Sequence, residues 1–240
     1  PQPLVLPSVE ACIQNKTRNI IIISAGFSEV GNQAAEQEIA AKCAEHGINL
    51  LGPNCLGAIF PHHGCNASFA DGFPEAGSIC FVSQSGAFCT AMLDWAKRKK
   101  IGFSHFISLG NKAGISEIEI LENLAHDDRV KIFAFYLESL QNGKKFIELI
   151  QKIHLQKPII ILEPGRSKKA AEASKSHTGS LTPNARVITK AYQKSGAIEV
   201  FSMREMFGVI ETLTFHGRKN VGPRLAVITN AGGVGVLTTD

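Results

Sequence analysis

Short apolar runs alternate with amphipathic helical patterns along almost the whole of this 240-residue chain. Two of these runs, at residues 20–23 (Ile-Ile-Ile-Ile) and 159–162 (Ile-Ile-Ile-Leu), contain no polar residue. A strand is continuously apolar when both of its faces are buried, as they are in a parallel sheet covered by helices. The pattern therefore predicts an α/β protein built on parallel sheets.

Residue types and periodicity locate the expected elements. The expected strands are residues 19–24, 48–52, 77–83, 103–109, 131–137, 158–163 and 224–229. The expected helices are residues 8–16, 33–46, 86–100, 116–126, 143–154, 183–195 and 204–215.

A polar loop at residues 60–76, rich in Pro, His, Gly and Asn, interrupts this alternation and predicts a domain boundary. Residues 1–66 form a first unit with too few strands for an independent doubly wound sheet, and residues 67–220 form a second unit. Residues 221–240 hold one strand and the start of a helix, as at the beginning of a third α/β domain. We expect the chain to be an excerpt of a longer polypeptide.

Composition excludes several classes of protein. The net charge of +4 is small and the basic residues are scattered except at 97–100, where they indicate a helix end, so nucleic acid is not expected as a partner. No apolar segment is long enough to span a membrane and no signal peptide pattern is present, which predicts a cytoplasmic protein. The six cysteines form no C-x-x-C pair, and His62, His63 and Cys65 have no second ligand cluster, so no metal site is expected.

A serine-rich turn follows the expected strand at 77–83. Ser83, Gln84, Ser85 and Gly86 stand where that strand gives way to a helix. Free backbone N–H groups and the positive end of the helix dipole at such a place bind anions, although the serines would equally serve as ordinary N-caps. The turn is thus either a helix cap or a phosphate site.

A second glycine-rich turn follows the expected strand at 224–229. Gly232, Gly233 and Gly235 are more glycines than a cap requires, and they suggest close approach of the backbone to a ligand. The spacing fits a dinucleotide-binding fingerprint only in part, because no acidic residue on a following strand is available.

Two further turns stand at the carboxyl ends of expected strands, where open α/β sheets bind ligands. One contains Ser24, Gly26 and Phe27, and the other contains Asn54 and Cys55. Either turn could be a ligand-binding loop or a plain connection between strand and helix.

His177 is a lone histidine among small hydroxyl residues and glycine at positions 174–181, with no apolar periodicity around it. Neutral imidazole is nucleophilic near pH 7, so such a loop suits a histidine that accepts and returns a phosphoryl group. An exposed loop histidine without a role is the simpler interpretation of this segment alone.

Eight motifs in one order resemble the nucleoside-diphosphate-forming acyl-CoA synthetases, which are relatives of succinyl-CoA synthetase. The matching segments are residues 23–27 (ISAGF), 51–57 (LGPNCLG), 82–87 (VSQSGA), 109–113 (LGNKA), 136–138 (YLE), 165–167 (GRS), 176–181 (SHTGSL) and 229–233 (TNAGG). The resemblance implies an incomplete Rossmann-like CoA-binding domain at 1–66, a flavodoxin-like domain at 67–220 and the truncated start of a third domain at 221–240.

The resemblance also implies a reaction and its residues. Acyl-CoA, phosphate and ADP would yield the carboxylic acid, CoA and ATP through an acyl phosphate and a phosphohistidine at His177. Glu138 matches the acidic residue that bonds the histidine ring, although a strand-end pairing with Lys144 or Lys145 is the structural alternative. The two glycine-containing helix starts, at 83–87 and 232–235, would hold the phosphoryl group between them.

By the same resemblance, Ser24, Gly26 and Phe27 would approach coenzyme A, while Asn54 and Cys55 would lie near its thiol without Cys55 acting as a nucleophile. The acyl pocket would include the loop at 110–114, where many relatives have an acidic residue at the position of Gly114. ATP or ADP with Mg²⁺ would bind an ATP-grasp domain or subunit that this chain lacks, and an oligomer is expected.

The chain departs from the family's pattern at three places. The family's opening glycine-rich CoA loop and its ATP-grasp domain are absent, and residues 182–184 (TPN) lack the acidic residue that many relatives have there. We therefore expect the excerpt alone to bind CoA weakly and to make no ATP. The alternative function is a non-catalytic acyl-CoA sensor fused to an acetyltransferase, which would have no use for His177.

Overall fold

The structure is a computed structural model, which describes residues 1–165, 185–217 and 226–239. The first unit is a small parallel sheet of two strands, β1 (Asn19–Ile21) and β2 (Asn49–Leu51), with Asn19 opposite Asn49. Helices α1 (Val5–Gln14) and α2 (Gln33–Glu45) pack on this sheet. The apolar core of this unit consists of residues from the helices, the strands and the adjoining loops: Val5, Val9, Ile22, Phe27, Ile39, Cys43, Ile48 and Leu50.

The second unit is a sheet of seven strands in the order β4-β3-β6-β5-β7-β8-β9. The strands are β3 (Gly57–Phe60), β4 (Cys65–Ser68), β5 (Ala76–Ser83), β6 (Phe103–Ser108), β7 (Ile132–Tyr136), β8 (Ile159–Leu162) and β9 (Ile198–Val200). Strands β5 to β9 are mutually parallel, whereas β3 and β4 form an antiparallel hairpin on the β6 edge. The carboxyl ends of five parallel strands therefore meet at one edge, where such sheets bind ligands.

Helices cover both faces of the second sheet. They are α3 (Gly86–Lys99), α4 (Glu117–Leu124), α5 (Gly143–Ile153), α6 (Ala185–Ser195) and α7 (Met203–His216), and α8 (Gly232–Thr239) follows later in the chain. One core packs α4, α5 and Tyr192 of α6 against the sheet, and a second core packs α3 and α7 against the opposite face. The predicted α/β class with a mostly parallel sheet is confirmed.

Three strands were not expected from the sequence. Strands β3 and β4 are four residues each, and the outer one, β4, reads Cys-Asn-Ala-Ser with no apolar run, as suits a short polar edge strand. Strand β9 has three residues. Because the hairpin belongs to the seven-stranded sheet, this sheet begins at Gly57, earlier than the start at residue 67 that the sequence suggested.

The end of the chain also differs from expectation. Of the strand expected at 224–229, residues 226–229 are described and adopt no strand. Helix α8 has no buried residue. Across the described ranges, no helix is both long and apolar enough to cross a membrane.

Candidate functional site

A cavity of about 480 Å³ opens at the carboxyl ends of β5, β6 and β7, beside the loop that follows β2. This is the edge where parallel α/β sheets bind their ligands. Its lining combines residues of both units: Ile23, Ser28, Glu29, Asn54, Cys55, Leu56, Phe69, Gln84, Ser85, Gly86, Ala87, Gly110, Asn111, Glu138 and Ser139.

The N-terminus of α3 forms one wall of the cavity. Ser85 is the N-cap, and its Oγ accepts a hydrogen bond from the Phe88 amide at 3.3 Å. The buried Ser83 Oγ accepts from the Ser85 amide and donates to the Ser85 carbonyl, both at 3.0 Å. Gly86 and Ala87 follow in the first turn, where amides have no acceptor within the helix. The turn is thus a helix cap whose next two amides remain suited to an anion.

Gln84 fastens the loop that carries Glu138. Its Oε1 accepts hydrogen bonds from the amides of Glu138 at 2.6 Å and Ser139 at 3.0 Å, and its Nε2 donates to Ser139 Oγ at 3.3 Å. The half-buried Glu138 lines the cavity, and burial together with this carboxylate raises the pKa of Tyr136 to about 12. Gln84 therefore positions Glu138 in addition to lining the cavity.

A buried ion pair also holds the loop that carries Glu138. Lys112 Nζ lies 2.9 Å from Glu117 Oε2, and the two residues are 3% and 0% exposed. Lys112 Nζ also donates to the Ser139 carbonyl at 2.6 Å. Gln141 closes the network, because its amide donates to Glu117 Oε1 and its Nε2 to the Lys112 carbonyl. Burial lowers the pKa of Lys112, and Glu117 and then Glu138 oppose that shift.

Asn111 gathers two carboxylates at the mouth of the cavity. Its Nδ2 donates to Glu29 Oε2 at 2.6 Å and to Glu36 Oε2 at 2.7 Å. The other oxygen of Glu29 accepts from the Gly26 amide at 2.5 Å and the Phe27 amide at 3.2 Å. Burial raises the pKa of Glu29, but these hydrogen bonds outweigh it, and the net shift is downward. The Glu29 carboxylate thus accepts hydrogen bonds from the amides of Gly26 and Phe27, two of the residues that the resemblance placed near coenzyme A.

The remaining residues expected to contact coenzyme A lie in different surroundings. Asn54 and Cys55 line the cavity, and burial raises the pKa of the Cys55 thiol to about 11. Phe27 is fully buried in the core of the first unit, so its ring serves packing. Ser24 does not line the cavity, and its carbonyl accepts from the Asn54 amide at 3.0 Å.

The loop after β6 joins the two units by backbone hydrogen bonds. The amides of Asn111, Ala113 and Ile115 donate to the carbonyls of Pro53, Gly52 and Leu50 at 2.9, 3.0 and 2.8 Å. Gly110 has a φ of +58°, and a Cβ there would lie 2.2 Å from the Pro53 oxygen. Close contact with the first unit therefore requires glycine at this position.

Gly114 belongs to the loop that the resemblance placed at the acyl pocket. It does not line the cavity, whereas Gly110 and Asn111 of the same loop do. A Cβ at position 114 would lie 2.6 Å from the Leu50 carbonyl oxygen, so a side chain there would strike the first unit.

The lining of the cavity contains two carboxylates, Glu29 and Glu138, and no Lys, Arg or His among the described residues. An anion bound here would depend on helix and backbone N–H groups rather than on these side chains. Within the described parts of the chain, no group of three or more His, Cys, Asp or Glu could hold a metal ion.

The structure brings together only part of the site expected from the sequence. Ser85, Gly86, Glu138, Asn54 and Cys55 share one cavity. His177 lies outside the described residues. The glycines of α8 do not line the cavity; Gly232 and Gly233 are exposed, and Gly235 is partly buried.

The pairing of Glu138 with Lys145, one form of the structural alternative, is not among the observed ion pairs of the described residues. Lys145 Nζ instead contacts Glu122 Oε1 at 2.8 Å, and both side chains are partly exposed. Among the described residues, Glu138 helps to raise the pKa of Tyr136, and it opposes the lowering of the pKa of Lys112 by burial.

Sequence reasoning missed the residues that hold the loops in place: Glu29, Glu36, Asn111, Lys112, Glu117 and Gln141. Asn111 and Lys112 fall in a motif that carried the resemblance, which placed their loop at the acyl pocket but gave neither side chain a role of its own. Glu117 stands in the first turn of α4 beside a Ser116–Glu119 capping box, where an acidic residue is ordinary. Its burial could not be read from that pattern.

The fold and the cavity define a domain of the succinyl-CoA ligase type. Residues 76–213 match the family model described as "Succinyl-CoA ligase like flavodoxin domain", and the chain belongs to this family.

Individual relatives show what the chain resembles in sequence. It is 39% identical to acetate–CoA ligase [ADP-forming] I of Archaeoglobus fulgidus over 100% of this chain and 35% of the relative. It is 34% identical to the alpha subunit of acetate–CoA ligase [ADP-forming] I of Pyrococcus furiosus over 100% of this chain and 52% of that subunit. The chain thus spans about a third to about a half of the length of these relatives.

A solved structure shows the same arrangement. An acetyl-coenzyme A synthetase of Ca. Korarchaeum cryptofilum, in complex with phosphate and ADP, superimposes with a TM-score of 0.94 at 32% identity. The match covers 100% of this chain and 52% of that chain. At this similarity the two share their fold over the entire length of the present chain.

Proposed function

We propose that the protein containing this chain is a nucleoside-diphosphate-forming acyl-CoA synthetase. It interconverts acyl-CoA, phosphate and ADP with a carboxylic acid, CoA and ATP. The observation that carries the proposal is one cavity lined by the α3 N-terminus, by Glu138 and by the Asn54–Cys55 turn. An anion site, a carboxylate and a site for a thiol-bearing ligand are what acyl phosphate chemistry needs in one place.

In the first step, a phosphate oxygen attacks the thioester carbonyl carbon and the carbon–sulfur bond breaks. The products are an acyl phosphate and the CoA thiolate, which takes up a proton. The amides of Gly86 and Ala87 hold the phosphate where charge develops, at the positive end of α3. Cys55, with its raised pKa, stays a neutral thiol beside the departing sulfur and adds no negative charge.

In the second step, a ring nitrogen of His177 attacks the phosphorus of the acyl phosphate. The bond to the acyl oxygen breaks and the carboxylate leaves, so the phosphoryl group is now on the histidine. Glu138 accepts a hydrogen bond from the other ring nitrogen, which fixes the tautomer and stabilises the positive charge of the phosphorylated ring. A covalent carrier divides transfer between two distant sites into two feasible reactions.

In the last step, a terminal oxygen of ADP takes the phosphoryl group from His177, which regains its free imidazole. ADP and ATP, with Mg²⁺, bind an ATP-grasp domain or subunit beyond this chain.

The relatives are named for acetate and 4-hydroxybutyrate, which supports a carboxylic acid as the substrate. We place the enzyme in the cytoplasm as an oligomer.

Phosphoryl labelling of the complete protein tests the proposal. Incubation with ATP labelled at the γ-phosphate, or with acyl-CoA and labelled phosphate, should give a protein-bound label that is acid-labile and base-stable. The label should vanish in His177→Ala. It should persist in His46→Ala, which removes an exposed histidine of the first unit. A wild-type protein that binds acyl-CoA but takes no label would contradict the enzyme and favour an acyl-CoA sensor.

A further inference from the structure

The proposed reaction assigns no role to Phe69, an aromatic residue that lines the cavity. It lines the cavity, yet 64% of its surface is exposed. Ile23, 50% exposed, is the other exposed large apolar residue of the lining. Such side chains at the rim of a polar cavity are available to a ligand with an apolar portion.

The backbone of Phe69 is held firmly although its ring is free. Its amide donates to the Leu56 carbonyl at 3.2 Å, and the amide of the next residue, Ala70, donates to Ser68 Oγ at 3.2 Å. Asn66 Oδ1 accepts from both the amide and the hydroxyl of Ser68, at 3.0 and 2.6 Å. The ring is therefore presented by a fixed turn.

Phe69 and the anion-binding wall line the same cavity. Ala70 packs against the apolar core that contains Leu56 and Phe88, and Phe88 lies in the first turn of α3. The lining of the cavity thus has a polar part, the α3 N-terminus and Glu138, and an apolar part, the exposed side chains of Phe69 and Ile23. A ligand that matches both parts carries an anionic head and an apolar tail.

We infer that Phe69 is a specificity-determining residue that contacts the apolar chain of the acyl group, so that the site favours carboxylic acids with chains longer than acetate. This inference rests on the proposed function. The acyl phosphate has its phosphate at α3 and its chain directed away from that helix. A methyl group gives Phe69 little surface to contact, whereas each added methylene brings apolar area against the ring.

The test is a chain-length profile of the complete enzyme with acetate, butyrate and hexanoate, measured as acyl-CoA formation. In Phe69→Ala, kcat/KM for hexanoate should fall about tenfold, while kcat/KM for acetate and KM for CoA change little. Because the ring is mostly exposed, its truncation removes a contact rather than a steric barrier. Phe69→Leu, which keeps an apolar side chain, should restore part of the preference.

Phe73→Ala is the matched control, because Phe73 follows in the same segment, is 51% exposed and does not line the cavity. It should leave the profile unchanged. Equal losses for all acids in Phe69→Ala, or the same profile in both variants, would overturn the inference but leave the synthetase intact. A wild-type enzyme that activates no acid would overturn both proposals. Circular dichroism of each variant separates these results from misfolding.

Discussion

Lys112 Nζ lies 2.9 Å from Glu117 Oε2, and both side chains are almost completely removed from solvent. Their desolvation is compensated by further hydrogen bonds, from Lys112 to the Ser139 carbonyl and to Glu117 from the Gln141 amide. The pair therefore connects the loop after β6 with the loop that carries Glu138.

Removal of one partner should be costly. Lys112→Met leaves a buried carboxylate without its cation, so the free energy of unfolding should fall by about 3 to 5 kcal/mol. Chemical denaturation measures this value. The exposed pair Lys99–Glu211 is the control, and Glu211→Ala should cost about 1 kcal/mol or less. Equal losses in both variants would contradict the role assigned to the buried pair.

Gly110→Ala tests the close contact between the two units. The substitution combines a positive φ with a Cβ 2.2 Å from the Pro53 oxygen. Gly47 has a φ of +64°, but a Cβ there would meet no atom within 4 Å, so Gly47→Ala measures the backbone cost alone, about 1 to 2 kcal/mol. Gly110→Ala should be worse by roughly 1 to 3 kcal/mol in urea unfolding. Equal values would show that the loop moves away freely.

His105 should make the protein less stable in mild acid. It is 6% exposed, burial lowers its pKa, and its Nδ1 is buried without a partner in the described structure. The unfolded chain then binds a proton that the folded one resists, so stability is lost as pH falls through the ordinary histidine pKa of about 6.5.

Urea unfolding at pH 7 and pH 5 measures this loss. The groups that face His105 include Asp127, which raises its pKa, and Arg129, His62 and His63, which lower it. His105→Gln should reduce the difference between the two pH values, whereas His46→Gln, at an exposed position, should not. An unchanged difference in His105→Gln would assign the acid sensitivity to other groups.

Gln84→Ala should impair phosphoryl labelling. The variant removes both hydrogen bonds that Gln84 Oε1 accepts from the Glu138 and Ser139 amides, so the Glu138 carboxylate loses its fixed place. We expect the initial rate of labelling to fall roughly tenfold or more, in line with displaced catalytic groups. Thr90→Ala, an exposed change in α3, the helix that follows Gln84, should label at the wild-type rate. A normal rate in Gln84→Ala would remove the positioning role.

Much of the fold could be predicted because its strands and helices have distinct periodicities. The apolar strand at Ile159–Leu162 and the amphipathic helix at Gly143–Ile153 were both expected within two residues of their bounds. The hairpin at Gly57–Phe60 and Cys65–Ser68 was missed because β4 is an exposed edge strand without apolar alternation. Pairing with a neighbouring strand, which local sequence does not encode, creates it.

The candidate site likewise contains residues that local sequence predicted and residues that it did not. Turns at strand ends pointed to Ser85, Asn54 and Cys55, which do line the cavity. Long-range contacts decide the rest, such as the bond from Asn111 to Glu29, 82 residues away along the chain. A charged residue that will be buried beside such a partner looks like any surface residue in the sequence.

The backbone bonds between the loop after β6 and residues 50–53 bear on how this protein could be recombined with its relatives. A chimaera joined at residue 56 would pair a foreign first unit with a loop shaped for the native one. Any side chain at position 110 would clash with the Pro53 carbonyl oxygen, so the two stretches fit together only with glycine there. Exchange of the first unit should therefore succeed only when residues 109–115 are transplanted with it. Residues 50–53 and 109–115 are distant in the sequence, but substitutions in one stretch have to match the other.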